Sequence, residues 1–178
     1  MAILMFTYCS PPSEKTQISK YTNAPEAFEE LAKIIENDAK NLELDETGLG
    51  CSVVGKDNIG TYWYSSVAGY WENYPEANKS LPEVLTQVGM SSARYSEYLK
   101  LFSKTGSERV TFCQKNNNIS SPVTHVLVYR SGTIMGGWIA EISKRKDGIT
   151  PLNKKSRCCS TINTKISDGW YLSMKSTS

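Results

Sequence analysis

The stretch from Ser80 to Lys115 limits the fold most, because it reads as helix, tight turn, helix and strand with a chemical marker at each boundary. Ser80 is followed three residues later by Glu83, with Pro82 between them. A hydroxyl that takes a free backbone N–H and a carboxylate that reaches back to the cap start a helix at Leu81. Val84, Leu85 and Val88 share one side of it, and Gly89 supplies the left-handed residue that ends it. Ser91 or Ser92 caps a second helix, in which Tyr95, Tyr98, Leu99 and Phe102 follow the spacing of one buried stripe and Gly106 closes the last turn. Past that glycine the period becomes two. Val110 and Phe112 alternate with Arg109, Thr111 and Cys113, so a strand begins at Arg109.

The rest of the chain is read outwards from this segment. Residues 1–22 form an apolar start and an extended lead-in rich in proline, serine and lysine, and residues 23–178 form one domain. Asn23, with Pro25 in the first turn and Glu26 three residues on, starts a long helix whose apolar stripe is Phe28, Leu31, Ile35 and Leu42. Short strands are expected through Cys51 to Val54 and Thr61 to Ser65. Val123 to Arg130 is apolar on both faces, as in a central strand. Ser131-Gly132 turns the chain into a partner strand from Thr133 to Ile142, where Gly136-Gly137 suggests a bulge or a close backbone approach. A basic loop from Ser143 to Thr164, a turn at Asp168-Gly169 and a last strand from Trp170 to Met174 complete the reading. The fold expected is α+β: an antiparallel sheet of about four or five strands with two or three helices on one face.

Charge separates along the chain more than it accumulates. The net charge of +2 gives no reason to expect a nucleic-acid partner. Eight acids between Glu26 and Glu46 face only Lys33 and Lys40, whereas Lys144, Arg145, Lys146, Lys154, Lys155, Arg157 and Lys165 face only Asp147. These are a solvated acidic helix and basic loop, or surfaces for a partner of opposite charge.

The apolar run from Ala2 to Phe6, then Thr7, Tyr8 and Cys9 and the proline-rich residues behind them, is too short to span a bilayer. It resembles the end of a bacterial lipoprotein signal, with Tyr8 and Phe6 where that pattern has a small residue and leucine. The capped helix pair and the closing Gly169-Trp170-Tyr171-Leu172 strand are likewise similar to small uncharacterised bacterial lipoproteins. The resemblance implies lipidation at Cys9, a location in the cell envelope and a membrane contact through that anchor alone. A buried first strand and a cytoplasmic location are the alternatives.

With Cys9 set aside, Cys51, Cys113, Cys158 and Cys159 remain as disulfide candidates. Adjacent cysteines bridge each other poorly, so Cys158 and Cys159 are expected to pair outwards, to Cys51 and Cys113, unless all four are reduced. No zinc spacing and no second histidine is present, so no metal is expected. Gly48, Gly50 and Gly55 match neither nucleotide fingerprint, since position 53 is valine and no Lys-Ser pair follows; no cofactor is expected. The catalytic candidates are Cys113 and the single histidine, His125, with Asp147 or Asp168 to orient it; the bland reading is a histidine satisfied within the sheet.

Tyr62, Trp63, Tyr64, Tyr70, Trp71 and Tyr74 fall within thirteen residues. Aromatic rings with polar tips suit interfaces, and strand alternation can bury only part of such a group, so this is the candidate binding surface. Three functions follow: a non-catalytic binding or structural protein of the bacterial envelope that meets a protein or small envelope ligand; a soluble partner-binding protein of the immunity type; and a small Cys/His hydrolase.

Overall fold

The computed structural model describes residues 11–46, 48, 50–73, 76–114, 121–133, 136–145, 147, 153–155 and 160–177. Four helices are seen among them: α1 (Glu14–Asn23), α2 (Pro25–Asp38), α3 (Leu81–Gln87) and α4 (Ser92–Thr105). The strands are β1 (Cys51–Gly55), β2 (Asn58–Ile59), β3 (Tyr62–Ser65), β4 (Tyr70–Asn73), β5 (Glu76–Lys79), β6 (Arg109–Cys113), β7 (Val123–Thr133), β8 (Gly136–Arg145), β9 (Lys154–Lys155), β10 (Ser160–Ser167) and β11 (Trp170–Thr177). All eleven join one antiparallel sheet in the order β5-β4-β3-β2-β1-β6-β7-β8-β11-β10-β9. The class is α+β, but the expected sheet of four or five strands is wrong by more than half. The expected two or three helices are four.

The segment from Ser80 onward forms as its markers dictate. The Glu83 carboxylate accepts the Ser80 N–H at 2.7 Å and its hydroxyl at 2.6 Å, and Ser91 Oγ accepts the Arg94 N–H at 3.1 Å. Gly89 and Gly106 end the two helices at φ +73° and +61°, where a Cβ is disfavoured. Strand β6 begins at Arg109, as its alternation predicts.

Several boundaries differ from the sequence reading. The lead-in is not extended: α1 occupies most of it, with Ser13 as its N-cap accepting the Thr16 N–H. This helix has little apolar periodicity. It is held by docking, with Tyr21 packed 5.2 Å from the Trp170 ring and 5.5 Å from Phe28. Asn23 therefore ends α1 rather than capping the next helix, and Ala24 is the single residue between them. Ser131-Gly132 is not a turn: both residues lie in β7, opposite Trp138 and Gly137, and the bulge falls at Leu127–Tyr129 instead of Gly136-Gly137. The end of the basic loop is strand β10, paired with β11.

Cysteine pairing also differs. Cys51 and Cys113 bond to each other across β1 and β6, as directly opposed residues with Cα atoms 4.0 Å apart. Neither is left for Cys158 or Cys159, which with Cys9 and Tyr74 lie outside the described residues.

The main core fills the space between the helices and one sheet face. Phe28, Leu31 and Ile35 of α2, Tyr98 and Phe102 of α4, and Val54, Val110, Val126, Ile142 and Leu172 of the sheet are all buried. Leu99 is not among them. It is 38% exposed, because the α4 stripe turns through Tyr95, Tyr98 and Phe102 and leaves position 99 at its margin. Leu99→Ala is therefore expected to cost less than about 1 kcal/mol in a denaturant titration, a surface-like loss instead of the 2–5 kcal/mol, roughly, of a core truncation.

Candidate interaction surface

The aromatic cluster divides on folding. Tyr62 and Trp71 are buried in the core, whereas Trp63 and Tyr64 stay 42% and 41% exposed. The β3–β4 pairing explains the division. Tyr64 faces Trp71 across the ladder with ring centroids 5.6 Å apart, so the buried ring supports the exposed one. Trp63 faces Glu72 on the other side, and its indole N–H donates to Glu72 Oε1 at 2.7 Å. Between the strands, Ser66, Val67, Ala68 and Gly69 are all exposed, and Val67 is 99% so. The apex is an ordered turn: the Gly69 N–H donates to the Ser65 carbonyl at 2.8 Å. Tyr70 is half-buried. Val67 is absent from the sequence-based site, since a single valine among small residues in a loop carries no periodicity.

The hairpin is held at its root. Gly60 makes the β2–β3 turn at φ +56°, and a Cβ there would meet the Glu43 carbonyl oxygen at 3.0 Å. The Asn58 amide donates to the Tyr62 carbonyl at 3.1 Å, and the Asn73 amide to Thr61 Oγ1 at 2.8 Å. Arg130 on β7 pairs with Asp57 just before β2, and with Glu108 at 3.0 Å. Beside the root lies an open pocket of about 490 Å³ that Glu43, Asp45, Tyr62, Asn73 and Gln87 help to line.

The catalytic candidates do not assemble. Cys113 and His125 emerge on the same face, since Cys113 pairs with Val123, two residues from His125. Two residues along a strand is roughly 7 Å, well beyond the reach of a proton transfer, and the Cys113 sulfur is in the disulfide. His125 Nδ1 lies 2.8 Å from Ser143 Oγ, its neighbour in the ladder. The nearby Glu141 carboxylate is held by Lys175 Nζ at 2.9 Å. Burial pushes the Glu141 carboxyl up, and the His125, Lys175 and Arg109 charges more than offset this and leave it below the ordinary range. Neither aspartate orients the imidazole: Asp147 receives Arg145 at 2.8 Å, and Asp168 receives Lys165 at 2.9 Å. His125 is thus satisfied within the sheet.

That environment has a consequence for stability. Burial pushes the imidazole pKa below its ordinary value; Glu141 opposes the shift, and Lys175 and Arg145 add to it. A depressed folded-state pKa means that the unfolded chain binds the proton first. Stability should therefore fall as pH drops through about 6.5, by up to about 1.4 kcal/mol per pH unit, until the folded-state pKa is passed. His125 is the chain's only histidine. Urea titrations between about pH 5 and 7 should show this slope, and His125→Gln should flatten it.

The charged segments partly meet each other. Glu29 of α2 pairs with Lys144 of β8 and accepts the Trp170 indole N–H at 2.6 Å. Burial raises the Glu29 pKa, but the bonds from Lys144 and Trp170 bring it below the ordinary carboxylate value. With Arg145 on Asp147 and Lys165 on the exposed Asp168, three cations of the basic segment have carboxylate partners. Lys146 and Arg157 lie outside the described residues. On α2, Glu26 and Glu30 remain exposed.

Among the described residues, no helix is long and apolar enough to cross a membrane, and no three His, Cys, Asp or Glu side chains group as a metal site. No protein-family model matches the chain, and no curated protein or solved structure is significantly similar to it.

Proposed function

We propose that the protein is a non-catalytic binding protein of the bacterial cell envelope, with the β3–β4 hairpin as its contact surface. The observation that carries this reading is the Cys51–Cys113 bond, because disulfides form and persist in oxidising compartments. The lipoprotein-like run ending at Cys9 gives the anchor, and the exposed Trp63, Tyr64 and Val67 give the contact. Its ligand is a protein or a small component of the envelope. A soluble, immunity-type protein is the second reading, favoured by the exposed carboxylates of Glu26 and Glu30 along α2. The hydrolase reading loses its thiol while the disulfide is formed.

Fractionation of the native host, followed by intact mass after thiol blocking, tests the proposal. The expected product is in the envelope, lipidated at Cys9, with Cys51 and Cys113 joined. A cytosolic product that retains Met1 and alkylates at both Cys51 and Cys113 would sink it.

A further inference from the structure

No charged residue lies between Asp57 and Glu72, so the whole β3–β4 hairpin above the Trp63–Glu72 pair is uncharged. Its outermost residue is an almost fully exposed valine, flanked by alanine, glycine and serine, with Trp63 and Tyr64 forming a collar below. An exposed, uncharged apex of this kind suits a partner that can close around it. A protein must supply a fitted pocket, whereas the boundary between lipid headgroups and acyl chains is fluid and conforms to a protrusion. Tryptophan and tyrosine concentrate at that boundary because their rings are apolar at one end and polar at the other.

We infer that the hairpin apex inserts into the headgroup–acyl boundary of a lipid bilayer, with Val67 deepest and Trp63 and Tyr64 at headgroup level. This rests on the hairpin being the contact surface, and it names the partner of that surface. The dimensions agree. From Trp63 to Ser65, the end of β3, is two residues, roughly 7 Å of strand, with the turn that carries Val67 beyond it, and an interfacial element sinks about 5–10 Å. Glu72, bonded to the Trp63 indole, and Asp57, bonded to Arg130, then stay on the wet side. Attachment by so small an apex is weak and reversible, as for any single shallow insertion.

The test mixes the full, unlipidated chain with vesicles of phosphatidylcholine alone. Tryptophan emission should shift to the blue and be quenched by lipid brominated high on its acyl chains, and Trp63→Phe should remove most of that quenching. Val67→Asp should lower partitioning at least tenfold or so, since a carboxylate at the apex must leave water to insert. Both positions are exposed, so both variants should melt like the wild type. Absence of vesicle binding by the wild type, or equal binding by Val67→Asp, overturns the inference. So does binding confined to anionic vesicles and lost in salt, which would assign the contact to the basic segment. If vesicles are ignored while Trp63 cross-links to a protein, the lipid inference falls and the hairpin remains the contact surface.

Discussion

Asp38→Ala is expected to cost about 1.5–3 kcal/mol, as removal of a buried charged acceptor from a buried hydroxyl donor does. Asp38 is the last residue of α2 and is only 6% exposed. A carboxylate at a helix C-terminus is in an unfavourable field, so its presence there calls for compensation. Arg94 of α4 provides it, with Nη2 3.1 Å from Oδ1 and Nε 3.1 Å from Oδ2, and Tyr98 donates its hydroxyl to Oδ2 at 2.9 Å. Burial pushes the Tyr98 phenol pKa up and the Asp38 charge pushes it further, so the ring stays neutral and remains a donor. Removing the carboxylate strands a fully buried hydroxyl, worth roughly 1–3 kcal/mol, and takes one of two anionic partners from Arg94. Asp38→Asn keeps an acceptor for Tyr98 and should cost less. A loss below about 1 kcal/mol for the alanine variant in denaturant titration would mean that the α2–α4 junction does not depend on this node.

Breaking the Cys51–Cys113 bond is the second large effect. The two residues are separated by 62 positions in sequence, and a loop of that length gives a chain-entropy stabilisation of about 4 kcal/mol, within the observed range of roughly 2–5. The closed loop contains the aromatic hairpin, α3 and α4. Reduction, or the Cys51→Ala/Cys113→Ala pair, should therefore lower the denaturation midpoint of the whole domain. It should not simply loosen one loop. An unchanged midpoint in strong reductant would show that the register of β1 and β6 holds without the bond.

What was legible in the sequence is what local chemistry decides. Glu83 after Ser80, Gly89, Ser91 and Gly106 each act within one turn of themselves, so the boundaries of the helix pair could be read from them, whereas Leu99, placed in the buried stripe by spacing, lies at its margin. Elements that exist because a neighbour pairs with them were not legible. Strand β5, Glu-Ala-Asn-Lys, has no strand propensity and forms against β4, and the polar β10 forms against β11. Helix α1 carries too few apolar residues to declare itself and depends on Tyr21 reaching Trp170. The expectation that Cys51 and Cys113 pair with Cys158 and Cys159 is wrong, because the partners are chosen by the register of two strands far apart in sequence. The aromatic hairpin was found by composition. Which rings anchor it and which meet solvent required the pairing of Tyr64 with Trp71 and of Trp63 with Glu72.

Site-specific photo-cross-linking in the native host, with the probe placed at Val67 in one strain and at Glu30 on α2 in another, separates a hairpin contact from an acidic-helix contact. A hairpin contact surface gives cross-links from position 67 to an envelope lipid or protein, and none from position 30. A single soluble protein captured from position 30, with position 67 silent, would contradict it and move the contact surface to the acidic helix.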